Sequence, residues 1–156
     1  MKLLLHNGKL ISESTLIGLN RAMYYGDGFF ESIRLIEGSI HLLDVHLKRM
    51  QFAFKELGLI KNESFSRSAL ERSLLKLAEA NELSNGKIRL TVFRKGAGAY
   101  IPESDEVEWI AELTPIEQEK FEINRKGLLV DVYKKQELPK VLSKPYKSLN
   151  AAFYIG

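Results

Sequence analysis

The stretch Tyr25-Gly26-Asp27-Gly28-Phe29-Phe30-Glu31-Ser32-Ile33-Arg34 decides the fold of this chain more than any other part of its sequence. Two glycines around an aspartate are typical of a turn, and the residues after them alternate as in a strand. In such a strand Phe30, Ser32 and Arg34 share one face, and the residues between them share the opposite face. The stretch therefore predicts a turn that leads into a strand with two chemically different faces.

The segments on either side of this strand predict an α+β order. Asn7-Gly8 and Glu37-Gly38 are each flanked by strand-like residues, so both are expected to turn hairpins, the first of them with a type I′ turn. Asp44 is a plausible N-cap for a helix that Gly58 would end. The remaining predicted elements are a helix over residues 66–83, a strand over Lys87–Phe93 and its antiparallel partner over Glu106–Leu113.

The same pattern divides the chain into three parts. Residues 1–114 are expected to form a small domain, and the polar residues 115–126 are expected to link it to the rest of the chain. Residues 127–156 are interpreted as the start of a second domain, opening with a strand over Gly127–Tyr133.

Composition limits the function classes. The chain has 156 residues, of which 45% are apolar and 28% charged, as in an ordinary soluble protein. A net charge of +3 is compatible with anionic substrates or a phosphate cofactor but too small to indicate nucleic acid. With no cysteine, disulfides and cysteine-based sites are excluded, and the three histidines lack the spacing of a metal site. No signal-peptide core or membrane-spanning run is evident, so a cytoplasmic protein is expected, with no membrane partner.

Two further blocks accompany the opening stretch, namely His46-Leu47-Lys48-Arg49 and Lys147-Ser148-Leu149-Asn150. In order and spacing the three blocks resemble the fold-type IV, or class IV, pyridoxal-phosphate enzymes, which include branched-chain and D-amino-acid aminotransferases and aminodeoxychorismate lyase. The resemblance implies a small N-terminal two-layer α/β sandwich followed by the beginning of a larger, incomplete β-barrel-like domain. It also implies homodimers whose sites take residues from both subunits.

The resemblance assigns roles to particular residues. It implies that Lys147 bonds to pyridoxal 5′-phosphate and moves the proton at the substrate carbon, and that Arg49 binds the cofactor phosphate. On composition alone Lys147 is a surface residue of a lysine-rich segment, and Arg49 belongs to a solvated helix face. The residues expected to bind an amino-acid-like substrate are Tyr25, Phe30, Ser32, Arg34, Arg89 and Arg94.

The reaction is less well specified. Lyases of the family commonly have threonine at the position of Ser32, and branched-chain aminotransferases have glycine, so the hydroxyl favours the lyase slightly. Ala99 stands where lyases often carry an arginine, which weakens a claim on a dicarboxylate.

The expected function is conversion of 4-amino-4-deoxychorismate to 4-aminobenzoate and pyruvate, with a branched-chain or D-amino-acid aminotransferase as the alternative. Because family members place further cofactor contacts after the lysine segment, the sequence is also expected to be about half of a member. A third hypothesis is therefore an inactive unit that only folds and dimerises.

Overall fold

The computed structural model describes residues 2–15, 18–96, 98–117, 123, 125–132, 134 and 145–150. The strands and helices confirm the expected α+β order. In chain order they are β1 (Leu3–His6), β2 (Lys9–Ser12), α1 (Arg21–Tyr25), β3 (Gly28–Ile36), β4 (Ser39–Ile40), α2 (Leu43–Glu56), a 3₁₀ turn (Glu63–Phe65), α3 (Arg67–Ala80), β5 (Gly86–Arg94) and β6 (Val107–Pro115).

The strands form one antiparallel sheet in the order β2-β1-β6-β5-β3-β4. At its centre β5 pairs along its whole length with β6 on one side, and through Gly86–Phe93 with β3 on the other. In the register with β3, Gly28 lies opposite Phe93 and Ser32 lies opposite Arg89. The predicted pairing of strands 87–93 and 106–113 is confirmed.

Both predicted hairpins are formed, and the first has the predicted type I′ turn. Asn7 and Gly8 have φ angles of 49° and 81°, and Glu37 and Gly38 have 47° and 71°. Positive φ at both central residues is the mark of a type I′ turn, which matches the twist of the flanking strands. The strand after Glu37-Gly38 has only two residues and ends at Ile40.

Helices α2 and α3 cover one face of the sheet. Helix α2 packs through an apolar stripe: Met50 and Phe54 are buried, and the Phe54 ring contacts Phe29 of β3 edge-on at a centroid distance of 5.3 Å. From α3 three leucines are fully buried in the same core, namely Leu70, Leu74 and Leu77. The two-layer arrangement expected for the small domain is thus present.

The predicted N-cap of α2 is wrong. The cap lies two residues earlier, at Leu42, which has a left-handed conformation (φ 56°) and no side-chain cap. Asp44 lies inside the first turn, where its negative charge suits the helix dipole, and it accepts a hydrogen bond from Arg67 at 2.9 Å. Gly58 does end the helix, with φ of 62°.

Two further differences concern short or unpaired segments. The sequence pattern did not indicate α1, which is capped by Asn20 and ends at Gly26. The strand predicted over Gly127–Tyr133 is not formed in its described part, because residues 127–132 pair with no strand and are exposed; Tyr133 lies outside the described residues. The first residue of the predicted linker, Pro115, is the last of β6, and half of the linker lies outside the described residues. Among the described helices, none has the length and apolar character needed to cross a membrane.

Candidate functional site

Residues Lys147–Asn150, which we call the lysine segment, pair through Lys147 and Leu149 with the beginning of β3. The Phe30 amide donates to the Lys147 carbonyl at 2.9 Å, and the Leu149 amide donates to the Gly28 carbonyl at 3.1 Å. Ser148 faces Phe29 in an antiparallel bridge. Because β4 pairs only with the far end of β3, the segment occupies the part of that edge that β4 leaves open. Residues more than one hundred positions apart in the chain are therefore brought together.

Two glycines make this close pairing possible. Gly26 has φ of 60°, and a Cβ there would lie 3.2 Å from the Asn150 nitrogen. At Gly28 a Cβ would lie 2.2 Å from the Val92 carbonyl oxygen and 2.9 Å from Leu149 Cδ1. Real Cβ atoms do not approach so closely, so β5 and the lysine segment can both reach this point only because no side chain is present. The glycines of the opening stretch thus have a defined structural purpose.

The Lys147 side chain lies on the sheet face opposite the helices. Its amine is 5.5 Å from the centroid of the Phe30 ring, and the Arg89 guanidinium carbon is 4.0 Å from the same centroid. Both distances are within the range of cation–π attraction. Ser32 lies opposite Arg89 in the register and therefore on the same face. We call these four residues, Phe30, Ser32, Arg89 and Lys147, the open-face cluster.

Arg49 lies on the helix side of β3. Its Nε donates to Glu31 Oε1 at 2.6 Å and its Nη2 donates to Glu31 Oε2, so the guanidinium and carboxylate meet along two bonds. Glu31 Oε2 also lies 2.8 Å from His46 Nδ1. The Glu31 side chain is 1% exposed and that of Arg49 is 31% exposed. We call Glu31, His46 and Arg49 the carboxylate triad.

The carboxylate is ionised in this setting. Burial raises the pKa of Glu31, but the hydrogen bonds and charges of Arg49 and His46 outweigh burial and hold that pKa below its ordinary value. A buried carboxylate without such partners would cost several kcal/mol, roughly, so the two α2 side chains are needed for β3 to pack here.

The remaining predicted residues have other surroundings. Arg34 is half-buried on the same face as Phe30 and Ser32, opposite Lys87 in the register. Tyr25 is exposed at the end of α1, where its hydroxyl lies 3.5 Å from the Gly98 carbonyl oxygen.

Arg94 does not join the open-face cluster. It is 7% exposed, its Nε donates to Asp27 at 3.0 Å, and its two terminal nitrogens donate to Asp105 and to the Leu57 carbonyl. The substrate-binding role expected for Arg94 is therefore not supported by its surroundings, because the guanidinium is occupied inside the protein. Its position before a glycine-containing loop could not reveal those partners.

Sequence reasoning also missed a buried ion network around Asp27. Asp27 Oδ2 accepts from Nε of both Arg21, at 2.7 Å, and Arg94, at 3.0 Å. Arg21 also donates to the Ala99 carbonyl at 2.6 Å and stacks on Tyr25 at 4.8 Å from the ring centroid. The network fixes the turn before β3 to the loop after β5.

Comparison with known proteins adds a family. The family described as amino-transferase class IV matches residues 28–156. A D-alanine aminotransferase of Bacillus licheniformis is 34% identical over 92 residues, which are 58% of this chain and 32% of that protein. An aminodeoxychorismate lyase of Bacillus subtilis is 33% identical over 86 residues, 54% of this chain and 29% of that protein.

Solved structures give the same fold. A 4-amino-4-deoxychorismate lyase from Pseudomonas aeruginosa has a TM-score of 0.58 and 28% identity, over 72% of this chain and 40% of that one. A branched-chain aminotransferase from Thermobaculum terrenum, in its PLP form, has a TM-score of 0.62 and 19% identity, over 75% of this chain and 41% of that one. The match thus spans about a third of the curated relatives and about 40% of these structures. The class IV fold expected from the sequence is confirmed for the small domain.

Proposed function

This chain belongs to the class IV aminotransferases, a family of pyridoxal-phosphate-dependent aminotransferases and lyases, and on that premise we propose that it binds the cofactor through Lys147. One observation carries the proposal: the lysine segment is bonded to β3, so that the Lys147 amine lies beside Phe30 and Arg89.

The residues present suit such a group. Lys147 is half-buried and forms no ion pair with any described residue, so its amine is not held by a carboxylate. Arg49 donates through Nε and Nη2 only, and its Nη1 has no acceptor among the described residues. A lysine amine that no described carboxylate holds, and a guanidinium with an unused edge, are groups that a pyridoxal phosphate requires.

The roles that we propose are those that the class IV resemblance implies for these residues. Lys147 would hold the cofactor and afterwards take the proton from the adjacent substrate carbon. Arg49 would hold the phosphate through its free edge. When bound, the cofactor supplies an electron sink for the charge that develops on that carbon. Arg89, stacked on Phe30 and without an ion-pair partner in the described part of the chain, would bind the substrate carboxylate, with Arg34 contributing on the same face.

For the reaction we propose the lyase, in which 4-amino-4-deoxychorismate gives 4-aminobenzoate and pyruvate. The similarity to two aminodeoxychorismate lyases supports it, and so does Ser32, whose hydroxyl-bearing side chain is on the open face beside Arg89. A hydroxyl there could place a water or relay a proton during elimination.

An aminotransferase acting on a D-amino acid is the second candidate. The relative named D-alanine aminotransferase has the higher identity of the two, 34% against 33%. Lys147 would then return the proton to a different atom instead of completing an elimination. The branched-chain alternative has support from fold alone.

The first test asks whether the chain takes the cofactor at Lys147. The purified 156-residue protein would be incubated with pyridoxal phosphate, reduced with borohydride, digested and analysed by mass spectrometry. We expect a phosphopyridoxyl group on the peptide containing Lys147, and no labelling in Lys147→Ala. The matched control is Lys95→Ala, because Lys95 is exposed and ion-paired with Glu106. A folded chain that takes no label would favour the third hypothesis, a unit that only folds and dimerises.

The second test separates the two reactions. Pyruvate alone does not distinguish them, because D-alanine transamination and the lyase both release it. The lyase alone forms 4-aminobenzoate, so the assay measures that product by its fluorescence. A homodimer remains part of the proposal, and sedimentation of the same sample tests it.

A further inference from the structure

The side chains of the carboxylate triad connect strand β3 to helix α2. Glu31 is on β3, whereas His46 and Arg49 are three residues apart on α2 and so share one helix face. Both α2 side chains converge on one buried carboxylate, with His46 and Arg49 Nη2 on Oε2 and Arg49 Nε on Oε1. The three residues therefore lock strand and helix together through side chains as well as through packing.

The two bonds from Arg49 fix the plane of its guanidinium. A single hydrogen bond would leave the group free to turn, but two parallel bonds to one carboxylate allow a single orientation. The edge that carries Nη1 is not used by any described residue, and the side chain is 31% exposed. An oriented donor edge at the protein surface is what recognition of a phosphate requires.

We propose that Glu31 is a positioning residue that presents Arg49 to the cofactor phosphate, with His46 holding Glu31 in turn. This inference rests on the proposed function, since it concerns the phosphate of the same cofactor. Charge alone predicts the opposite effect of Glu31 on phosphate affinity. Glu31 neutralises Arg49, so its removal leaves the site more positive, and simple attraction would then bind a phosphate more tightly. If Glu31 acts by orienting Arg49, its removal must weaken binding instead.

The test uses Glu31→Gln in the full chain and two ligands, pyridoxal phosphate and pyridoxal, which lacks the phosphate. Affinities for both would be measured by absorbance titration. We expect Glu31→Gln to lose about tenfold in affinity for pyridoxal phosphate, comparable to the loss when a partner that orients a ligand-binding side chain is removed. Affinity for pyridoxal should stay within about twofold.

The control for charge is Glu108→Gln, because Glu108 is also a carboxylate beside a histidine, 3.3 Å from His6, but has no contact with Arg49. It should leave both affinities unchanged. The control for stability is Leu74→Ala, which removes core packing from α3. If it weakens binding at all, it should weaken both ligands equally.

Three results would overturn the inference: equal loss for both ligands, no loss for either, or tighter binding of pyridoxal phosphate by Glu31→Gln. A wild-type chain that binds neither ligand would count against the proposed function. In that case the binding of inorganic phosphate to Arg49 tests the inference separately. The Nε–Hε resonance of Arg49 should shift on phosphate addition in the wild type and not in Glu31→Gln. No shift in the wild type would overturn the inference.

Discussion

Gly26 controls how the lysine segment is held, and Gly26→Ala should loosen that segment selectively. The substitution has two effects. A residue with a Cβ at φ of 60° is strained by about 1–2 kcal/mol. The new Cβ would also lie 3.2 Å from the Asn150 nitrogen, so the end of the lysine segment must move by a few tenths of an ångström.

The second effect can be isolated because the chain contains a matched glycine. Gly58 has φ of 62°, and a Cβ there meets nothing within 4 Å. Gly58→Ala therefore carries the backbone strain without the contact. Gly58→Ala should lower the free energy of unfolding in urea by about 1–2 kcal/mol, and Gly26→Ala should lower it by up to about 1 kcal/mol more, because it also displaces the segment. Only Gly26→Ala should affect the segment.

Hydrogen exchange measures this difference directly, since two amides report on docking: Phe30, which donates to Lys147, and Leu149, which donates to Gly28. Displacement at Asn150 should weaken the docking by about 1 kcal/mol, close to the net value of one hydrogen bond. Exchange at both amides should then be about fivefold faster in Gly26→Ala than in Gly58→Ala. Equal exchange in the two variants would refute the claim that Gly26 makes room for this segment.

Three other predictions concern stability. Asp27→Asn should lower the free energy of unfolding by about 3–5 kcal/mol, because it leaves two buried guanidinium groups without their shared carboxylate. Asp44→Asn removes a carboxylate from an exposed pair and should change that free energy little. Urea denaturation of the two variants measures both values. Glu31 has a folded-state pKa below its ordinary value, so its contribution to stability is present above the unfolded-state pKa of about 4.3 and is lost as the pH falls through the folded-state pKa. Unfolding followed at a series of acidic pH values should therefore show a shallower loss in Glu31→Gln, and an unchanged slope would contradict this. Leu74→Ala should lower the free energy of unfolding by about 2–5 kcal/mol, whereas the same change at its exposed neighbour Leu75 should lower it much less. Similar values for the two variants would mean that Leu74 does not face the core.

Features governed by local chemistry could be predicted from the sequence. The two faces of β3 follow from strand alternation, and the structure buries Phe29 and Glu31 while leaving Phe30 and Ser32 half-exposed. The hairpins follow from Asn7-Gly8 and Glu37-Gly38, since few residues tolerate the positive φ that such turns need. Each of these patterns has one dominant physical cause within a few residues.

Features that depend on distant partners could not be predicted. Helix α1 has five residues, too few to show a helical period, and its caps Asn20 and Gly26 were its only signals. The apolar run over residues 127–132 resembles a strand by composition, but a strand also needs a partner to pair with. Arg94 was expected to bind substrate because its two ion-pair partners, Asp27 and Asp105, come close to it only in the folded chain and could not be identified from the sequence.

The stretch Tyr25–Arg34 determines both the fold and the site because β3 has only one acceptable register. A slip of one residue would turn Phe30 toward the helices and Glu31 toward the open face, and it would separate the carboxylate from Arg49. Gly28 opposes such a slip, since the Val92 carbonyl oxygen would lie 2.2 Å from any Cβ at that point, so only glycine can stand there. The residue that fixes the register also accepts the hydrogen bond from Leu149. Core packing, the carboxylate triad and the docking of the lysine segment therefore depend on the same strand position, and a change at Gly28 should disturb all three together.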